Sequence, residues 1–146
     1  MDRAVTGSET PARSRVVIAD DDPDIRALVS IAVTRAGLDL VAVTEDGDAA
    51  WEALTELRPD LAVLDVSMPG MTGLELCARA RADNSFADTR IVLLSAGVDD
   101  NAREAGRVAG ATDFIAKPFS PRELGARLAE LMRADAGVAG PPAGTA

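Results

Sequence analysis

The chain has 146 residues, a formal net charge of −9, one cysteine and no histidine. This length suits a single domain, which buries enough surface to fold without a disulfide or a structural metal. Histidine catalysis and four-ligand zinc sites are excluded, and the acidic charge argues against direct nucleic-acid binding. Because we find neither a signal peptide nor a membrane anchor, we expect a cytoplasmic protein without membrane contact.

Five short apolar runs predict β-strands. Most of them lack apolar/polar alternation, which is typical of strands covered on both faces, as in a parallel sheet. The last run is the weakest. The predicted strands span residues 16–19, 38–43, 61–64, 91–94 and 114–116.

The first two stretches between strands carry clear helix signals. Asp22 followed by Pro23 predicts an N-cap with proline at the first helical position, and Gly37 predicts the end of that helix. Trp51 belongs to an apolar pattern that predicts a second helix before residues 58–59.

The remaining three stretches predict helices of unequal strength. Residues 72–75 and 120–123 both match the Ser/Thr-x-x-Glu capping box, which marks a helix start. Residues 99–109 predict the weakest helix, because its apolar face is mostly alanine and Gly106 interrupts it.

This alternation of strands and helices predicts an α/β fold with three layers, α/β/α. Right-handed crossovers make the five-stranded parallel sheet doubly wound, and we expect the flavodoxin-like strand order 2-1-3-4-5. The predicted folded domain spans residues 15–134. The tails 1–14 and 135–146 are low in complexity and predicted to be disordered, although the second could instead begin a linker to another domain.

Residues with reactive side chains follow the predicted strands. Asp20 and Asp21 follow the first strand, Asp65 the third, Ser95 the fourth and Lys117 the fifth. Ligands bind beyond the carboxyl ends of strands in open parallel sheets, so we expect these side chains to converge.

Converging carboxylates repel one another unless a cation lies between them. Mg²⁺ is the expected ion, with Mn²⁺ as the alternative, because hard cations prefer oxygen ligands. Carboxylates, a metal, a lysine and a hydroxyl around one point suit phosphoryl transfer. Asp65 is the expected nucleophile, since it stands alone at a central strand end, and its product would be an acyl phosphate.

Four sequence blocks resemble the receiver domains of two-component response regulators, the CheY-like superfamily. The blocks occur in the order and spacing of that family, across residues 15–134. They are residues 17–23, 64–73, 94–96 and 117–119.

The resemblance implies a role for each matching residue. Asp65 would be the phosphoacceptor, and Asp20 and Asp21 would belong to the acidic metal pocket. Asp21 and Asp65 would bind Mg²⁺ together with the backbone carbonyl of Ser67. Lys117 would pair with the phosphoryl oxygens.

The same resemblance implies how the signal would leave the site. Ser95 would be the switch hydroxyl and Phe114 the switch aromatic, and the Lys117–Pro118 bond would be cis. We expect the output surface on the fourth helix, fifth strand and fifth helix, because the alanine-rich fourth helix should shift most readily.

Implied partners are a histidine kinase or histidine phosphotransfer protein and a downstream protein target. A stand-alone receiver is expected, and a weak homodimer is left open. Ser67 and Gly97 are small where family side chains face the phosphoryl group, so the lifetime of the phosphorylated form is not implied.

The sequence argues against three rival functions. A phosphatase of the haloacid-dehalogenase type would need a second carboxylate where Ser67 stands. A receiver-like module that only binds partners would not need the complete set of acidic, hydroxyl and lysine residues. A flavodoxin would bind its phosphate at the loop after the first strand, which here is acidic.

Overall fold

The computed structural model describes residues 13–96 and 100–137. The predicted tails fall largely outside these residues, and so does Gly97. None of the described helices combines the length and the apolarity needed to cross a membrane. The strands are β1 (Arg15–Ala19), β2 (Asp39–Thr44), β3 (Leu61–Asp65), β4 (Arg90–Ser95) and β5 (Asp113–Ala116). The helices are α1 (Pro23–Arg35), α2 (Gly47–Leu57), α3 (Gly73–Arg81), α4 (Asp100–Ala109) and α5 (Pro121–Gly137), with a 3₁₀ helix at Asn84–Phe86.

All five strands are parallel and form one sheet in the order β2-β1-β3-β4-β5. The predicted doubly wound α/β fold is therefore confirmed. Because β1 lies beside β3, the residues that follow these two strands are neighbours at the carboxyl edge of the sheet. At the same edge Ser95 pairs with Ala116, so β4 and β5 also end together.

The core consists of two apolar clusters, one on each face of the sheet. Strands β3 and β4 are almost wholly buried, which explains why their sequences do not alternate. Helices α1 and α5 cover one face, while α2 and α3 cover the other. The first cluster includes Val16, Ile18, Val29, Val33, Leu124 and Leu128, and the second includes Val17, Leu54, Leu64, Leu76, Phe86 and Leu93.

Capping residues hold the helix starts at the edge where the strands end. The side chain of Asp22 accepts a hydrogen bond from the backbone N–H of Asp24 at 2.9 Å. Thr72 and Glu75 form both bonds of the capping box, at 3.2 and 2.8 Å. The helix starts therefore lie where they were predicted, next to the acidic loops.

The prediction that Gly106 interrupts the fourth helix is wrong. Helix α4 runs unbroken from Asp100 to Ala109, and its one buried residue within this described range is Gly106. A Cβ atom at this position would lie 2.8 Å from Cδ2 of Phe114. The glycine thus allows α4 to pack closely against the ring of Phe114 and does not break the helix.

The short 3₁₀ helix before β4 was not predicted, because three residues are too few to show a helical period. Its last residue, Phe86, is completely buried. The ring of Phe86 contacts that of Trp51, with 5.7 Å between the two centroids. This turn therefore closes the core beneath α2.

Candidate metal centre at the carboxyl edge of the sheet

Three carboxylates meet at the carboxyl edge of the sheet. One carboxylate oxygen from each of Asp20, Asp21 and Asp65 lies within 4.8 Å of the other two. Asp20 and Asp65 are only 2% and 4% exposed, whereas Asp21 is exposed. Adjacent parallel strands bring these residues together, since Asp65 ends β3 and the other two follow β1 directly.

The backbone and side chain of Asp20 are held from several sides. Its N–H donates to the carbonyl of Thr44 at 3.1 Å, and its Oδ1 accepts from the N–H of Asp22 at 2.9 Å. Its carbonyl accepts a hydrogen bond from Nη1 of Arg26, also at 2.9 Å. Arg26 was not predicted to contribute here. Its position one turn into α1, after the N-cap, is the signal that could have indicated it.

Lys117 brings a positive charge between two of the carboxylates. Its Nζ lies 3.1 Å from Oδ2 of Asp20 and 3.1 Å from Oδ1 of Asp65. The backbone N–H of Lys117 donates to the carbonyl of Ser95 at 2.8 Å, which ties the loop after β5 to the end of β4. The peptide bond from Lys117 to Pro118 is cis, as the resemblance implies.

Burial and neighbouring charges shift the pKa of both Asp65 and Lys117. Burial, together with the neighbouring carboxylate of Asp20, raises the pKa of Asp65 even though Lys117 opposes the shift. Burial alone would lower the pKa of Lys117, but its contacts with Asp20 and Asp65 outweigh burial and raise it. The ammonium therefore stays charged, while the carboxyl group of Asp65 carries an uncompensated electrostatic cost.

The donor set fits a hard divalent cation. One ammonium group faces three carboxylates, so the cluster keeps a negative charge when all three are ionised. Oδ2 of Asp20 is buried, and apart from the ammonium of Lys117 at 3.1 Å it has no hydrogen-bond partner among the described residues. Oxygen ligands and excess negative charge are what Mg²⁺ prefers.

An open cavity of about 340 Å³ lies above these groups. Asp20 lies beneath the cavity and does not line it. Phe114 is also outside the lining and half-buried, packed against α4 under the guanidinium of Arg103, which lies 5.7 Å from the ring centroid. The lining residues are Asp21, Asp22, Asp65, Val66, Ser67, Ser95, Ala96 and Lys117.

The raised pKa of Asp65 predicts that removing its charge stabilises the metal-free protein. A raised pKa means that the folded state holds the proton more tightly than the unfolded chain, so stability falls as pH rises from about 3.9 through the folded pKa. Asp65→Asn should therefore raise the midpoint of thermal unfolding at pH 7 in EDTA by roughly 2–6 °C, equivalent to about 1 kcal/mol. This gain in the unfolding midpoint should vanish below the pKa that Asp65 has in the unfolded chain.

Asp88→Asn is the control, because Asp88 is exposed in the loop before β4. Saturating Mg²⁺ should reverse the order of the Asp65→Asn and wild-type midpoints, since ligand binding stabilises only the protein that binds it. A lower midpoint for Asp65→Asn in EDTA would contradict the proposed repulsion.

Comparison with known proteins agrees with this geometry. A family model described as the response regulator receiver domain matches residues 16–129. The DNA-binding response regulator MtrA of Mycolicibacterium smegmatis is 40% identical over 121 residues, which are 83% of this chain and 51% of MtrA. The phosphate regulon transcriptional regulatory protein PhoB of Pseudomonas aeruginosa is 36% identical over 118 residues, 81% of this chain and 51% of PhoB. The chain thus spans about half the length of these curated relatives.

Solved structures show the same fold. The signal receiver domain of the response regulator NarL from Mycobacterium tuberculosis superposes with a TM-score of 0.77 at 31% identity, covering 88% of this chain and all of that one. The chemotaxis response regulator CheY4 of Vibrio cholerae superposes with a TM-score of 0.73 at 31% identity, covering 84% of this chain and 98% of CheY4. The chain therefore belongs to the response regulator receiver domain family.

Proposed function

We propose that this receiver domain accepts a phosphoryl group on Asp65 from a phosphohistidine of a histidine kinase or phosphotransfer protein. The observation that carries the proposal is the meeting of Asp20, Asp21 and Asp65 with Lys117 beside one open cavity, which all of them except Asp20 line. Asp65 is buried at the floor of this cavity but still accessible to a group that enters it.

The proposed reaction is a single displacement at phosphorus. A carboxylate oxygen of Asp65 attacks, the nitrogen–phosphorus bond of the donor breaks with its electron pair left on the imidazole nitrogen, and the aspartyl phosphate forms as the unphosphorylated histidine leaves. An ionised carboxylate needs no general base, so positioning and charge neutralisation supply most of the catalysis. Lys117, already 3.1 Å from Asp65, would pair with the phosphoryl oxygens.

The carboxylates of Asp21 and Asp65 and the carbonyl of Ser67 would hold Mg²⁺, or Mn²⁺ in its place. Asp20 would support this site from below, since it is nearly fully buried and bonded to its neighbours. The bound ion would neutralise the negative charge that develops on the phosphoryl oxygens.

Loss of the phosphoryl group would occur by hydrolysis. A water oxygen attacks phosphorus, the bond to the oxygen of Asp65 breaks, and inorganic phosphate leaves. Ser67 is exposed and small, so it leaves room for water at the cavity. Because Ser67 has no carboxylate, this position supplies no general acid for repeated turnover, which favours a signalling domain over a phosphatase.

We propose that the phosphorylated state is communicated through α4, β5 and α5 to a protein partner. Phosphorylation adds about 1.5 to 2 negative charges, carried by the phosphoryl oxygens. The hydroxyl of Ser95, which lines the cavity, would move toward these oxygens. Phe114 would change position with it. Helix α4 is the most readily displaced element, because only one residue of its described length, Gly106, is buried.

The net charge of −9 favours protein over nucleic acid as the direct contact of this domain.

The decisive experiment is incubation with a small acyl-phosphate donor and Mg²⁺, read by intact mass. We expect one phosphoryl adduct on the wild type, none in EDTA and none on Asp65→Asn. Asp88→Asn should form the adduct at the wild-type rate. An adduct that persists on Asp65→Asn would refute the assigned acceptor, and repeated turnover of phosphomonoesters would instead indicate a phosphatase.

Replacing Lys117 should separate metal binding from phosphoryl transfer. Lys117→Gln removes the cation that competes for Asp20 and Asp65, so Mg²⁺ should bind more tightly, on the order of 10-fold or ~1.4 kcal/mol by calorimetry. Adduct formation should nevertheless slow by about 100-fold, because the phosphoryl oxygens lose a charged donor. Arg122→Gln, which removes an exposed charge, should change neither quantity. Weaker Mg²⁺ binding or an unchanged rate would contradict the role of Lys117.

The proposed output surface predicts a local change in amide hydrogen exchange. With a beryllium fluoride mimic and Mg²⁺, residues 100–119 should change in protection, while residues 29–35 of α1 should not. The reason is that α4 is weakly anchored, whereas α1 packs extensively against α5. Equal protection of residues 100–119 in both states would count against this surface.

A further inference from the structure

The loop of residues 66–72 joins β3 to α3 and carries Ser67, the proposed source of a carbonyl ligand. Both ends of this loop are tied to regular structure. The N–H of Val66 donates to the carbonyl of Leu94 in β4 at 2.9 Å, and the N–H of Gly73 donates to the carbonyl of Val66 at 3.2 Å.

The middle of the loop packs, backbone against backbone, on the first residue of α2. The N–H of Gly47 donates to the carbonyl of Pro69 at 3.0 Å. A Cβ atom on Gly47 would lie 1.8 Å from the carbonyl oxygen of Met71 and 2.5 Å from its backbone nitrogen. Both atoms belong to the main chain, so no rotation of a side chain could relieve the overlap.

We infer that Gly47 is a positioning residue for the metal site: its missing side chain lets the loop pack on α2 and sets where the loop presents the carbonyl of Ser67. This inference rests on the proposed function, in which that carbonyl binds Mg²⁺. Only Ser67 and Met68 lie between the anchored Val66 and Pro69, and Met68 is buried. A shift at Pro69 and Met71 is therefore passed on to Ser67.

The magnitude of the overlap decides the expected effect. An alanine at position 47 forces the loop away by roughly 1 Å or more, since a Cβ atom does not approach a carbonyl oxygen to 1.8 Å. Mg²⁺ requires nearly ideal octahedral geometry, and functional groups must be held within about 0.5 Å. The ligand set should lose affinity although Gly47 does not touch the ion.

The test compares Gly47→Ala with Gly125→Ala. Gly125 is a buried helical glycine whose added Cβ would lie 3.0 Å from the carbonyl oxygen of Ala32, at the packing of α5 on α1. It does not line the cavity and lies instead near Arg35 and Ala36 at the end of α1, so this variant controls for a general loss of stability. Titration calorimetry with Mg²⁺, well below the unfolding midpoint of each protein, should give a Kd about 10-fold higher for Gly47→Ala and within about 2-fold of wild type for Gly125→Ala.

Adduct formation provides a second reading of the same variants. The Mg²⁺ concentration for half-maximal rate should rise about 10-fold in Gly47→Ala, with a smaller change in the rate at saturating Mg²⁺. Wild-type affinity in Gly47→Ala, or an equal loss in Gly125→Ala, would overturn the positioning role. Wild-type protein that binds Mg²⁺ but forms no adduct would refute the proposed phosphorylation, and the calorimetry would still decide the role of Gly47.

A measurement on the wild type covers the case in which Gly47→Ala does not fold. If the loop and α2 are coupled, Mg²⁺ should slow exchange of the Gly47 amide hydrogen, which is bonded to Pro69, by several-fold. The amide of Ala36, bonded to Ala32 at the end of α1, should not change. Equal exchange of the Gly47 amide with and without Mg²⁺ would overturn the inference.

Discussion

Repulsion among the carboxylates of Asp20, Asp21 and Asp65 is the constraint on which the site depends. Their oxygens lie within 4.8 Å of one another, and two of the three residues are nearly fully buried. Burial weakens screening by water, so the like charges interact more strongly than they would on the surface. Lys117 compensates only part of this charge. The fold thus maintains an electrostatic cost that a cation bound among these carboxylates would relieve.

The fold can maintain this cost because the surrounding backbone is held from several directions. Arg26 binds the carbonyl of Asp20, and Lys117 is tied to β4 through its own N–H. Gly47 supports the loop that follows Asp65 by close backbone packing. Each of these contacts joins a different element to the carboxyl edge of the sheet. Because these contacts come from α1, from the loop after β5 and from α2, the geometry of the cluster does not depend on a single helix.

Helix α4 contrasts with these well-anchored parts. Gly106 is the one buried residue of its described length and packs closely against Phe114, while the carbonyl of Ala109 accepts a hydrogen bond from the thiol of Cys77 in α3. Few buried contacts mean that this helix can move at a low free-energy cost. Phe114 lies outside the cavity, half-buried between the core and the guanidinium of Arg103. In the sheet this residue is paired with Leu93 of β4, two residues before Ser95 at the cavity wall.

The sequence by itself determined the strands, most helix starts and the placement of Asp20, Asp65 and Lys117 at one edge, because these depend on local periodicity, capping and the direction of parallel strands. Only the tertiary structure decided that Asp20 lies beneath the cavity and that Gly106 packs against a ring. It alone also brought Gly47 against the loop of residues 66–72. These features depend on how closely distant backbones approach, and that distance leaves no periodic or local pattern in the chain.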